Sequence, residues 1–164
     1  MKRLTTSGGF ARLEERHRNV KKEYYAVCAD NEAAAESGDS SVWHDNFAYE
    51  ENQRQMHQLA KRIVELEKIL RDISIVPKPM FIPNTTQIGV CVHVVQISTQ
   101  QEMVFYLSGY QDGNVQEGRL SYLSPMGSAF LDLEIGESTE VMHNNTQDIF
   151  ELIAISLPTS IHHN

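Results

Sequence analysis

The chain has little of what would place it outside a reducing cell interior. It holds two cysteines in 164 residues, Cys28 and Cys91, far apart and in segments of different periodicity. Two such thiols make no disulfide framework, and the expectation is a cytoplasmic protein. The Asn-x-Ser/Thr matches at Asn84 and Asn144 are therefore read as chance. No apolar run approaches the roughly 20 residues that span a bilayer. The opening MKRLTTSGGFARLEERHR lacks the apolar centre of a secretory signal. There is no phosphate-binding loop, dinucleotide fingerprint or Ser-His-Asp pattern. The seven histidines, His162 and His163 at the tail included, are scattered without zinc-ligand spacing. Excess positive charge is missing too, and a net charge of −8 argues against a protein that grips DNA by itself.

One absence is local. Residues 23–53 contain no Lys or Arg, yet carry eight acids: Glu23, Asp30, Glu32, Glu36, Asp39, Asp45, Glu50 and Glu51. Residues 1–22 carry seven basic residues (Lys2, Arg3, Arg12, Arg16, Arg18, Lys21, Lys22) against Glu14 and Glu15. Residues 54–74 carry five basic residues against three acids. The order is basic, acidic, basic.

What is present in this half is heptad spacing. Phe10, Leu13, His17, Val20, Tyr24, Val27, Asn31 and Ala34 step by three and four, as do Tyr49, Asn52, Met56, Leu59, Ile63, Leu66, Leu70 and Ile73. Between the series, Gly38 suits a helix stop and Ser40 or Ser41 a helix N-cap. The spacing predicts an antiparallel coiled-coil hairpin over 1–76, its first helix about 30 residues and so about 45 Å long. Folding the charges onto it gives a basic foot and an acidic tip. Acids gathered at one end repel, which costs stability unless a cation or a basic partner meets them. His17 and Asn31 on the seam would set register.

Pro77, Pro79 and Pro83 end the helical pattern and predict a stiff connection over 77–84. From 85 to 164 the period changes. Ile88–Ile97, Met103–Tyr110, Ser138–Met142 and Ile149–Leu157 are rich in β-branched and aromatic residues and predict strands. Asp112-Gly113-Asn114 and Gly136-Glu137 supply turns. Ser124-Pro125 opens a short helix as N-cap and first-turn proline. The fold class expected is α+β: a helical hairpin followed by a small, mainly antiparallel β-sheet domain with one short helix.

The segment Ser121-Tyr-Leu-Ser124-Pro125-Met-Gly-Ser-Ala-Phe-Leu131, followed by Gly136-Glu137, resembles the C-terminal S-x-x-S-P signature of the Gre (GreA/GreB-type) transcription elongation factors. The opening Thr6-Ser-Gly8-Gly-Phe-x-x-Leu13 is similar as well, as is Gly38-Asp39-x-Ser41 followed by Ala48, Glu51 and Gln53. The resemblance implies an FKBP-like second domain and one partner, RNA polymerase. That domain would dock on the rim of the secondary channel through Ser121, Ser124 and Pro125. The hairpin would enter the channel, with Arg12, Arg16 and Arg18 near RNA or the channel wall. At the tip, Asp39 and Asp45 would share a magnesium ion with the polymerase active site, and Ser41, Trp43, His44 and Asn46 would make neighbouring contacts. No cofactor of its own is implied; magnesium enters only within the polymerase complex, as does the RNA 3′ end. The factor would stimulate or modulate polymerase catalysis without being an enzyme.

The tip departs from the pattern of cleavage-active members. Aligned without a gap, the second tip acid falls on Val42, which offers no metal ligand, and Asp45 takes a later acidic position. With a three-residue insertion, Asp45-Asn46-x-x-Tyr49 restores that acid. The ungapped reading is preferred because Ala48, Glu51 and Gln53 then match. Leu123 also departs, standing where the family often has a polar or acidic residue. Plainer readings accompany each residue: Asp39 as a turn residue, Asp45 as a first-turn acid favoured by the helix dipole, Trp43 as a cap on Phe47, His44 as a solvated side chain. Three other functions stand beside cleavage stimulation: a cleavage-inactive paralogue that competes at the channel, a coiled-coil adaptor or holdase, and a prolyl isomerase suggested by fold alone.

Overall fold

The computed structural model of the chain describes residues 2–36, 47–143 and 146–159. In order, the elements are β1 (Arg3–Thr5), α1 (Ser7–Glu36), α2 (Phe47–Asp72), β2 (Ile73–Ile75), β3 (Cys91–Gln96), β4 (Gln101–Ser108), β5 (Arg119–Ser121), α3 (Pro125–Ala129), β6 (Ser138–His143) and β7 (Thr146–Ser156), with a 3₁₀ turn at Val115–Glu117. They divide into two compact units, one of Leu13–Asp72 and one of Met1–Arg12 with Ile73–Asn164. The boundaries differ from the sequence reading, which gave residues 1–76 to the hairpin. The strands flanking the helices pair with each other, Arg3 with Ile73, Leu4 with Ser74 and Thr5 with Ile75, so both belong with the β-rich unit.

In the helical unit the heptad seam is where it was expected. Leu13, Val20, Leu59 and Leu66 are buried, and His17, Tyr24, Val27, Asn31, Met56 and Ile63 are half-buried. Ile69 adds a buried position beside the seam. His17 and Lys21, early in α1, both reach Glu67, late in α2, at 3.2 and 3.3 Å; this sets the helices antiparallel. Ile73, expected as the last heptad residue, stands instead in β2. The helix stops there because Ile73-Ser-Ile-Val76 is mostly β-branched, and Val76 precedes a proline, which disfavours helical backbone.

In the β-rich unit, five strands run in the order β5-β4-β3-β7-β6. β3 is antiparallel to β4 and β7, and β6 to β7, but β5 joins β4 in parallel, so the sheet is mixed and not wholly antiparallel. The chain leaves β4 at Ser108 and returns at Arg119 through the 3₁₀ turn, a crossover that restores its direction where a tight hairpin would reverse it. One face of the sheet carries Val92, Val94, Leu107, Phe150, Leu152 and Ile155, all buried. Phe130, fully buried just after α3, stacks on Phe105 with ring centroids 6.2 Å apart and meets Phe150 edge-on at 5.6 Å. An aromatic cluster of this kind contributes about 0.5–1.5 kcal/mol per pair beyond area burial.

Candidate functional site

The S-x-x-S-P segment has a defined local geometry. Ser124 is the N-cap of α3, with Pro125 in its first turn. The Ser124 hydroxyl accepts from the Gly127 amide at 3.0 Å and donates to the Ser121 carbonyl at 2.7 Å. Gly127 is required by close approach, since a Cβ there would lie 2.0 Å from that same carbonyl oxygen. The signature thus builds a tight β5–α3 corner. Ser124 is occupied within the corner, while Leu123 and Pro125 are its exposed members. Of the residues expected to dock, Pro125 lies on the surface and Ser121 is half-buried in β5.

The acidic tip was assigned to Asp39, Ser41, Trp43, His44, Asp45 and Asn46, all outside the described residues. The helix leading to it is informative. The last turn of α1 holds no basic residue, and Asp30 and Glu32 are exposed on its final turns. Negative charge at a helix C-terminus opposes the helix dipole by a few tenths of a kcal/mol per group. On α2, Glu51 is paired with Arg54 at 2.6 Å. Among the described residues no three of His, Cys, Asp and Glu come together as a metal site.

The basic residues of the hairpin do not act alike. Arg16 and Arg18 lie on exposed positions of α1. Arg12, expected near RNA, is committed elsewhere. Its Nε and Nη2 donate to the two carboxylate oxygens of Asp112 at 2.6 and 2.7 Å. This bidentate bond is the main reason its pKa is raised, against the opposing effect of burial. Asp112 is 3% exposed and also lies 3.8 Å from the Arg119 guanidinium, so two cations share one buried carboxylate. Sequence reading took Asp112 for a turn residue; its partner stands 100 residues away, and no local pattern announces it.

A second polar cluster lies on β3 and β7. His93 Nε2 and the Ser156 hydroxyl are 2.8 Å apart, and burial pushes the Cys91 thiol up against the opposing hydrogen bond from Ser156. A thiol held protonated is a poor nucleophile, so the group reads as a satisfied polar cluster.

Comparison with known proteins agrees with these two halves. Residues 3–75 match the family model "Transcription elongation factor, N-terminal", and residues 83–157 match "Transcription elongation factor, GreA/GreB, C-term". The transcription elongation factor GreA of Thermodesulfovibrio yellowstonii is 29% identical over 152 residues, covering 92% of this chain and 94% of the relative. That of Clostridioides difficile is 28% identical over 153 residues, covering 93% and 94%. Among solved structures, the transcription factor Gfh1 aligns over 94% of this chain and 97% of its own at 20% identity and a TM-score of 0.45. A GreA/GreB factor from Nitrosomonas europaea aligns over 95% and 98% at 16% identity and a TM-score of 0.41. No helix among the described residues is long and apolar enough to cross a membrane. With both family models matched in order along one chain, the protein belongs to the GreA/GreB family of transcription elongation factors.

Proposed function

We propose that the chain binds RNA polymerase at its secondary channel and presents the acidic end of its hairpin to the polymerase active site. The observation that carries this reading is the segregation of charge. Residues 23–53 hold eight acids and no base, whereas residues 1–22 and 54–74 mix both signs. Like charges gathered in one segment repel, and a cation held by the partner would relieve that repulsion.

In this reading Asp39 and Asp45 lend hard carboxylate oxygens to an ion that the polymerase holds, which suits magnesium's preference for a few such ligands. When bound, that ion activates water and stabilises the leaving oxygen of the backtracked RNA. Catalysis belongs to the polymerase; the chain positions charge. Arg16 and Arg18 on the stem suit phosphates or the channel wall. The corner built by Ser121, Ser124 and Pro125 is the docking surface, with Leu123 as an apolar contact at its edge.

A second reading rests on Val42, which replaces an acid at the tip. It makes the protein a channel-binding regulator that excludes a cleavage-active relative. Equilibrium binding of the labelled chain to cognate core polymerase tests the shared part of both readings. Saturable binding, displaced by a cleavage-active Gre factor and weakened at least fivefold in Pro125→Ala/Leu123→Ser, is expected. No binding at micromolar concentration sinks both readings.

A further inference from the structure

We propose that the outer face of the five-stranded sheet, the face turned away from α3, is a docking surface for an amphipathic helix whose apolar stripe carries lysine or arginine.

The sheet has its core on one side only. Val92, Val94, Val141, Phe150 and Leu152 face that core, and Met126, Ala129 and Phe130 of the α3 region pack against it. Side chains alternate between the two faces along a strand. His93 and Val95 on β3, Glu102 and Val104 on β4, Glu140 and Met142 on β6, and Ile149 and Glu151 on β7 therefore share the other face. That face lies open, with Val104 51% exposed, Met142 62% and Ile149 42%. Ile153, the extra residue of the β3–β7 bulge, is exposed as well. A sheet with one face in water ordinarily sets polar residues there, so four large apolar side chains on one wet face mark a surface that a partner covers. It lies across the sheet from α3, and so apart from the corner at Ser124 and Pro125.

The charges on this face have one sign. β3, β4, β6 and β7 contain no lysine or arginine. Arg119, on β5, is occupied by Asp112 and Glu117. The register places Glu102 and Glu151 directly opposite Val95, one on each side of it. Two strand spacings separate them, about 10 Å from backbone to backbone, so a basic head group lowered onto Val95 stands within reach of both carboxylates. Among the described residues no ion pair engages either one. Glu140 stands diagonally across from Glu151 and adds a third acid.

These acids disfavour an anionic membrane, a nucleic acid or a second copy of this acid-rich unit as the occupant. A helix is the element that closes an open sheet face in layered folds. Helix residues four apart rise about 6 Å, and alternate residues of a strand are about 6.8 Å apart. A helix lying along β3 thus sets one basic side chain over Val95. Its apolar side chains four residues before and after then fall near Val104 and Ile153 at one end and near Ile149 at the other. The contact is narrower than a standard protein interface, and micromolar affinity is expected.

Calorimetric titration of the full chain with a synthetic leucine–lysine amphipathic helix of about 18 residues, long enough to be helical, tests the proposal. A scrambled peptide of the same composition has the same charge and no apolar stripe. Micromolar binding of the amphipathic peptide is expected, at least tenfold weaker for the scrambled one. The Glu102→Lys/Glu151→Lys variant should also bind at least tenfold more weakly. Glu14→Lys/Glu15→Lys makes the same change in net charge at exposed positions of α1 and should bind as the native chain does. Glu102 is exposed, so Glu102→Lys alone should leave the melting curve unchanged and still weaken binding at least threefold; it carries the test if the double variant misfolds. No binding, equal affinity for the two peptides, or equal loss in the two double variants overturns the proposal.

Discussion

Asp112 holds together segments far apart in the chain, and its environment sets what its loss should do. Two guanidinium groups face it, and Gly9 leaves room for its carboxylate: a Cβ on Gly9 would lie 2.9 Å from Asp112 Oδ2. Removing one partner of a buried ion pair leaves the other charge uncompensated. Asp112→Ala should therefore cost about 3 kcal/mol in urea unfolding, and Asp112→Asn, which keeps one acceptor, visibly less. A loss within experimental error would mean that water compensates Arg12 and that the pair is incidental. Thr5 offers the opposite test. It is fully buried between Gly9 and Gly109, and its hydroxyl oxygen has no hydrogen-bond partner. Thr5→Val keeps the shape and removes the orphaned group, so it should be neutral or stabilising by up to about 1 kcal/mol. Clear destabilisation would show that a bound water satisfies Thr5.

At the scale of elements, the hairpin's stability should depend on pH through Glu67. Lys21 first and His17 second hold the Glu67 carboxyl below its usual range. A carboxylate depressed in the folded state contributes stability that is fully present above its unfolded pKa. That contribution is lost as the pH falls through the carboxylate range toward the folded-state value. Helix melting followed by circular dichroism should thus decline on acidification in the native chain and less so in Glu67→Gln. Parallel curves would place the acid sensitivity elsewhere. Elements also differ in how far they could be read from sequence. The two helices and their buried seam were legible because the three-and-four spacing of Leu13, Val20, Leu59 and Leu66 repeats over many turns. α3 was legible because Ser124-Pro125 is a local cap signal. β1, β2 and β5 were not, since three residues cannot show an alternating pattern. Their pairing is set by what the fold brings beside them. The Arg12–Asp112 bond was hidden for the same reason, and it engages one of the three arginines expected near RNA. The acids of residues 23–53 form a charge pattern in the sequence, and spacing does not encode which of them would share an ion.

At the scale of the whole molecule, one chain matches both family models in order, and residues 23–53 of its helical half hold acids and no base. The helical unit has acids near the C-terminal end of α1 and in the first turn of α2, and the β-rich unit carries an exposed corner built from the family signature. The central claim is that Asp39 and the acids around it act on the polymerase's magnesium site. RNA cleavage in stalled, backtracked complexes of the cognate polymerase tests it most directly, with native chain or Asp39→Asn added and binding confirmed in the same tubes. The account predicts faster cleavage with the native chain and its loss in the variant at equal occupancy. Equal cleavage with native chain, variant and no addition, despite confirmed binding, would contradict it and leave the hairpin as a plug for the channel.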